Sequence, residues 1–194
     1  MKHRSLEIIR DEHSSLAAML QSMRMLVDRG PGDDPKNFFD VLRAMLFYID
    51  EFPERLHHPK ETELLFPRVA AAAPEVGVAI ARLDRDHEYT EKAVRDIQHL
   101  LMAWEYMGES RRQAFVDGFT RYGNLYLAHM QLEEQEVLPA AEKHLTEADW
   151  ALLDAEFEKN CDPLTGKYKP DPAYEALFTR IVMNAPAPIG LGGG

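Results

Sequence analysis

Apolar residues recur three and four positions apart along most of the chain, and no segment alternates apolar with polar residues as a half-buried strand does. This pattern predicts four long helices. They run from an N-cap at Ser5 to about Gly30, from about Lys36 towards Val69, from Pro74 to about Met107, and from about Arg111 to Lys143. Because the connections are short, we predict an all-α fold, an up-down-up-down four-helix bundle. Prolines at positions 53, 59 and 67 are expected to bend or end the second helix locally.

The residues after the bundle predict a helical extension. Thr146 and Asp149 have the spacing of a capping box and should begin a short fifth helix that ends near Lys159. A last helix would carry an apolar face made of Tyr174, Leu177, Phe178, Ile181 and Val182. We expect this face to pack on the bundle, with a second copy of the chain in a homodimer as the alternative. The predicted division is a bundle at 1–145, a C-terminal helical extension at 146–184 and a flexible tail at 185–194.

Four histidines and two glutamates interrupt the apolar stripes of the bundle helices. They form two similar sets, His13 with His57 and Glu61, and His87 with His129 and Glu133. In each set the second histidine and the glutamate are four residues apart, within "HHPKETELLFP" and "HMQLEEQEVLP". Residues at that spacing lie on one face of a helix, one turn apart. We therefore interpret the chain as two copies of one metal-binding half.

The predicted topology brings both sets to one level. The two lone histidines lie in the N-terminal halves of helices one and three, and the pairs lie in the C-terminal halves of helices two and four. A buried layer of four imidazoles and two carboxylates is costly unless a cation neutralises it. For any single histidine a hydrogen-bonded core role is an equal alternative, but the duplicated set favours a metal. Six donors exceed the need of one ion that also binds a substrate, so we predict two ions bridged by Glu61 and Glu133.

Donor chemistry narrows the choice of metal. Histidine and carboxylate ligands without cysteine favour iron or manganese over zinc. The chain has a single cysteine, Cys161, so it can form neither a thiolate metal cage nor an intramolecular disulfide.

Charge and hydropathy limit the partners and the location of the protein. The net charge of −11 argues against nucleic acid as a partner. No apolar run approaches the roughly 20 residues of a membrane helix, and the first residues do not resemble a secretory signal, so we predict a cytoplasmic protein without a membrane partner.

Several residues beside the six predicted ligands have two interpretations each. Glu91, one turn after His87, would either approach the metal or be a solvated charge. Tyr122 and Tyr126 would either contact an iron-bound ligand or pack in the core. His58, Glu63, Glu134 and Glu136 flank the pairs and are expected at the surface or behind the ligands. Residues after Lys159 are expected to be dispensable for the metal site.

The order and spacing of the four histidines and two glutamates resemble those of the hemerythrin-like (HHE cation-binding) domain over residues 5 to 145. The proline-ending segments "LLFP" and "VLP" that follow the two His-x-x-x-Glu pairs are typical of that family. The resemblance implies a four-helix bundle that holds a non-haem di-iron centre bridged by two glutamates. Glu91 stands where oxygen-carrying hemerythrins have a second histidine, and Glu133 stands where they have aspartate. The chain is more similar to the four-histidine, two-glutamate branch, which includes bacterial iron–sulfur-centre repair proteins and an iron-sensing domain of a eukaryotic ubiquitin-ligase subunit. Reversible oxygen transport is therefore disfavoured.

Three functions follow from this resemblance. The protein would bind O2, NO or peroxide as a sensor, or consume peroxide or NO as an oxidoreductase in oxidative or nitrosative stress protection. As an alternative it would handle iron, sensing it or donating it to damaged iron–sulfur centres. We favour the non-haem di-iron protein that binds or reacts with small oxidants, with turnover left open.

Overall fold

A computed structural model describes residues 3–169 and 171–192, and these residues form an all-α protein. Helix α1 is Arg4–Arg29, α2 spans residues 35–72, α3 is Gly77–Met107 and α4 spans residues 112–144. The helices run antiparallel. Arg43 near the start of α2 forms an ion pair with Glu105 near the end of α3, whereas Thr62 near the end of α2 donates a hydrogen bond to Asp84 near the start of α3. The predicted four-helix bundle is confirmed.

Helices α2 and α4 contain π-helical turns. Helix α2 consists of Pro35–Ile49, the π segment Asp50–His57, His58–Lys60, the π segment Glu61–Leu65 and Phe66–Ala72, and α4 consists of Arg112–Leu132, the π segment Glu133–Val137 and Leu138–His144. Pro59, Pro67 and Pro139 each follow a π segment by two residues. Since proline has no N–H for the carbonyl four residues earlier, the regular helical ladder is interrupted at these points. The helix widens instead of ending, contrary to one of the two outcomes expected for these prolines.

The bundle core is divided into two apolar clusters. One cluster contains Met19, Leu42, Trp104 and Phe115 and fills the end of the bundle where α2 begins. The other contains Ile9, Phe66, Leu83 and Phe157 and fills the opposite end. Buried polar residues lie between them, among them the six that the sequence analysis selected. The fold therefore places a polar layer inside an apolar core, where water cannot neutralise it.

The C-terminal extension packs on the bundle. Helix α5, Glu147–Phe157, begins with the predicted capping box between Thr146 and Asp149, and it lies against α1. Helix α6, Glu175–Asn184, lies against α2 and buries Phe178 and Ile181. Part of the predicted flexible tail also has defined contacts, because the Ser22 hydroxyl donates to the carbonyl of Pro186 and accepts from the N–H of Ile189. The last two residues of the predicted tail lie outside the described residues.

Within the described residues, no helix combines the length and the apolar character that a membrane crossing requires.

Candidate metal centre

Six predicted ligands and one further histidine converge in the polar layer. Their ligand atoms form two groups, each with all atoms within 4.8 Å of one another: His13, His57, Glu61 and Glu133, and His58, Glu61, His87 and His129. All seven residues are buried. Glu61 belongs to both groups, so one carboxylate connects two neighbouring positions for a cation.

The π turns set the direction of these side chains. Glu61 begins one π segment and Glu133 begins another, and the N–H groups of Phe66 and Leu138 bond to the Glu61 and Glu133 carbonyls, five residues earlier. His57 ends the first π segment of α2. A π turn contains more residues than an α turn, so it rotates the residues that follow. Widened turns therefore occur where the helices present donor atoms to the layer.

The imidazoles direct one nitrogen into the layer. His57 Nε2 lies 2.6 Å from Glu61 Oε1, and His13 Nε2 lies 3.4 Å from Glu133 Oε2. His87 Nε2 lies 3.3 Å from Glu61 Oε2 and 3.2 Å from His129 Nε2. Nitrogen and oxygen lone pairs therefore face one another at close range.

Polar groups behind the layer hold the outer nitrogens. The Nδ1 atoms of three histidines lie within hydrogen-bond distance of an outer partner: His57 of Glu12 at 2.6 Å, His13 of Glu134 at 2.9 Å and His87 of Thr62 at 2.8 Å. His129 Nδ1 faces Asp86 at 3.7 Å. A carboxylate at Nδ1 fixes the neutral tautomer that carries its proton there and leaves the Nε2 lone pair free. This arrangement is typical of metal-bound histidine.

A cation fits the donor atoms that the layer presents. Both carboxylate oxygens of Glu61, both of Glu133 and Nε2 of His57 are buried without a hydrogen-bond partner. With its proton on Nδ1, His57 faces Glu61 as one acceptor against another, and this contact is favourable only if a proton or a metal ion lies between them. Buried unpaired acceptors are costly, and a cation shared by them removes that cost.

Without metal, protons take the place of the cation. Burial lowers the pKa of His13, but its contacts with Glu133 and Glu134 outweigh this and raise it to about 9. Burial acts in the same direction on His57, and Glu61 and Glu12 outweigh it to hold that pKa well above its usual range. A metal that binds these imidazoles must displace those protons.

His58 lies in the buried layer, so of the two positions expected for it, at the surface or behind the ligands, the surface is excluded. Its ring is 4% exposed and stacks on the ring of His87 with centroids 4.0 Å apart. Its Nε2 lies 2.6 Å from the Tyr126 hydroxyl and its Nδ1 lies 3.0 Å from Glu54. Both histidines point inward at the end of the π segment Asp50–His57. The signals of that segment in the sequence are Pro53 within it and Pro59 two residues after it.

Glu91 lies outside the layer, whereas Tyr122 and Tyr126 lie beneath it. Glu91 is half exposed and pairs with Arg95 at 3.0 Å, so it is a solvated charge and does not approach the layer. Tyr122 and Tyr126 are buried, and the Tyr122 hydroxyl donates to Glu54 at 2.9 Å. Burial raises the pKa of Glu54 to about 8. The two tyrosines thus belong to a hydrogen-bonded network beneath the layer that reaches it through His58.

Comparison with known proteins agrees with this geometry. The family model described as the hemerythrin HHE cation-binding domain matches residues 4–141, which include all seven residues of the two groups. Among curated proteins, no match to the chain is found. The match covers most of the chain and all of the four-helix bundle except the last three residues of α4, and the residues it spans hold two buried clusters able to bind a metal. This chain therefore belongs to the hemerythrin HHE cation-binding domain family.

Proposed function

We propose that the chain holds two iron ions in the polar layer and binds or reduces O2, NO or peroxide there. The observation that carries this proposal is the pair of buried donor groups that share Glu61. Family membership supports cation binding within residues 4–141, which contain these groups, and histidine with carboxylate donors suits iron. Bound iron would supply a redox-active centre with a coordination position open to a small ligand.

The two positions differ in their donors. His13, His57 and Glu133 would hold one ion and His87 and His129 the other, with Glu61 shared between them. Glu133, predicted as a second bridge, lies with the first group only. His58 lies beside the second position, but its Nε2 is held by Tyr126. In this arrangement each ion receives two imidazoles. We therefore propose the four histidines and two glutamates as the ligands, with His58 directly behind them.

A small cavity beside His13 and His57 supports the proposal that the ligand is a small molecule. The cavity measures about 10 Å³ and is lined by apolar side chains such as Leu16 and Phe52 and by the polar residues Glu12, His13, His57, Tyr126, Asn160 and Asp162. This is close to the space that one water molecule needs. A diatomic or a peroxide is of suitable size, whereas a larger organic substrate is not. The cavity adjoins the position of His13 and His57, so we assign the open coordination site to that ion.

Burial of the layer favours small-oxidant chemistry over iron donation. Every residue of the two groups is buried, so release of iron to another protein would require the bundle to open. A diatomic needs only a narrow path to reach the cavity. The iron-handling alternative predicts rapid loss of iron to a mild chelator, and we expect slow loss.

The proposal is tested by an anaerobic titration. Protein loaded with Fe(II) is exposed to O2 while its visible spectrum is recorded, and the O2 is then removed. A charge-transfer band that disappears on removal indicates reversible binding, and a stable ferric spectrum indicates redox turnover. Parallel titrations with NO and peroxide, followed by assays of their consumption, separate a sensor from an oxidoreductase.

Two matched variants show whether the spectrum belongs to this layer. Glu61→Ala removes the shared carboxylate, and we expect it to lose iron and the spectral response. Glu63→Ala makes the same change at an exposed position two residues along the same π segment, and it should behave as wild type. Absence of any iron spectrum in the wild-type protein, or an unchanged spectrum in Glu61→Ala, would overturn the proposal.

A further inference from the structure

A residue outside the matched domain contacts a side chain that supports the ligand layer. Asn160 follows α5, beyond the family match that ends at residue 141, and it is only 4% exposed. Its side-chain amide donates a hydrogen bond of 2.9 Å to Oε2 of Glu12. The C-terminal extension thus contacts a buried carboxylate that belongs to the bundle, whereas the sequence analysis expected residues after Lys159 to be independent of the metal site.

Glu12 connects Asn160 to a candidate ligand. The oxygen that accepts from Asn160 also lies 2.6 Å from Nδ1 of His57. His57 in turn directs Nε2 at Glu61, 2.6 Å away. A continuous series of contacts therefore leads from the extension to the carboxylate shared by both metal positions.

Lys60 fixes the orientation of the Asn160 amide. Its ammonium group donates to Oδ1 of Asn160 and, at 2.8 Å, to the carbonyl of Glu156. With its oxygen held by an ammonium group, Asn160 must present its NH2 group to Glu12. The amide therefore acts on Glu12 as a donor, and it stabilises the ionised carboxylate at the oxygen that His57 uses.

We propose that Asn160 is a positioning residue for the metal centre and acts through Glu12 on His57. The inference rests on the proposed function for the metal, although not on the identity of the metal or on its chemistry. A carboxylate at Nδ1 sets the tautomer and the ring orientation of a metal-bound histidine. Glu12 lies in the middle of α1, and Asn160 supplies the second contact that fixes the oxygen facing His57. Asn160 also lines the cavity beside His13 and His57, so it borders the space assigned to the small ligand.

The test compares two changes at Asn160 with a matched change elsewhere in the extension. Asn160→Ala removes the donor, and Asn160→Asp keeps the shape and the Lys60 contact but replaces the donor by a charged acceptor. Asp154→Asn is the control, because Asp154 also connects the extension to α1, through Ser5 at 2.7 and 2.6 Å, without contacting Glu12. All proteins are loaded with Zn(II), which is diamagnetic, so the test works whatever the physiological metal is.

Two readouts separate positioning from general stability. Loss of an outer partner typically costs about 10–100-fold in metal affinity, and Asn160 acts one contact further out, so we expect release of Zn(II) to a chelator to be about 3–10-fold faster at pH 8 in both Asn160 variants. The NMR signal of the His57 Nδ1 proton should shift and exchange faster with water in the same variants. Asp154→Asn should leave both unchanged, even if its melting temperature falls as much.

The inference is overturned if both Asn160 variants release Zn(II) at the wild-type rate with an unchanged His57 signal, or if Asp154→Asn has the same effects. Its failure is distinct from failure of the proposed function. A protein that binds Zn(II) with Asn160-dependent release but shows no iron spectrum would refute the iron chemistry and retain the role of Asn160.

Discussion

Raising the pH should destabilise the metal-free protein through His13. In the folded chain the pKa of this buried imidazole is raised from 6.5 to about 9, because contacts with Glu133 and Glu134 outweigh burial. The folded state therefore binds a proton more tightly than the unfolded state. The corresponding stability is fully present below pH 6.5 and is lost as the pH rises through 9.

The size of the effect follows from the two pKa values. At about 1.36 kcal/mol per pH unit, the interval from 6.5 to about 9 corresponds to at most about 3 kcal/mol. His57 and the neighbouring carboxylates titrate together with His13, so we expect about 1–3 kcal/mol for this residue. For a chain of this length the melting temperature should fall by about 2–10 °C over that interval.

Chemical and thermal unfolding of chelator-treated protein between pH 6.5 and 9.5 measures this loss. The comparison is His13→Gln, which carries no charge at any of these pH values. Burial raises the pKa of Glu54 to about 8, so ionisation of Glu54 also destabilises the fold as the pH rises. This contribution is the same in wild type and in His13→Gln. The difference between wild type and variant therefore isolates His13.

Metal-loaded wild-type protein provides the second control, because a metal ion occupies the imidazole in place of the proton. Its stability should not show the His13-dependent decrease. Equal pH dependence of metal-free wild type and His13→Gln would refute the reasoning. An increase in the free energy of unfolding of metal-free wild type between pH 6.5 and 9 would also refute it.

Three further predictions concern the same layer. Glu133→Gln should reduce the bound metal from two ions per chain to one or none by elemental analysis, whereas Glu136→Gln, an exposed change in the same π segment, should keep both. Tyr126→Phe should lower the stability of metal-free protein by about 1–3 kcal/mol, since it leaves Nε2 of His58 unpaired, and metal stoichiometry should be unchanged. Metal uptake at pH 8 should release protons into a weakly buffered indicator solution, with about one fewer per chain in His13→Gln; equal release would contradict the assigned protonation.

The sequence predicted the fold and the convergence of six residues because both depend on helical periodicity. Histidines in the apolar stripes of helices must lie in the core, and antiparallel helices bring their halves to one level. The same reasoning left two positions open for Glu91, beside the metal or in solvent. It lies one turn after His87, yet its partner is Arg95, four residues further along the exposed side of α3. Periodicity alone does not distinguish a residue at the edge of the stripe from one at its centre.

The residues around the layer were beyond this reasoning for two physical reasons. His57 and His58 are adjacent, and a regular α-helix separates their directions by about 100°, so the period alone places only one of them at the centre of the buried stripe. The π turn that ends at His57 shifts this register. Glu12 contacts His57 and Thr62 contacts His87 from another helix, and Asn160 contacts Glu12 from the C-terminal extension. None of the three shares a sequence spacing with the ligand that it supports. Tertiary packing alone brings them there.

The position of the layer couples metal binding to the stability of the whole bundle. Two apolar clusters pack on its two sides, and all four long helices cross it, so unpaired charge within it weakens the contacts of every helix pair at that level. Protons on His13 and His57 neutralise part of that charge in the metal-free state, but they occupy the lone pairs that a metal would use. Metal ions would neutralise both carboxylates at once and leave the Nδ1 contacts to Glu12 and Glu134 in place. A layer with inward-facing acceptors, hydrogen-bond partners behind them and apolar clusters on both sides is therefore one in which a bound cation would be part of the core.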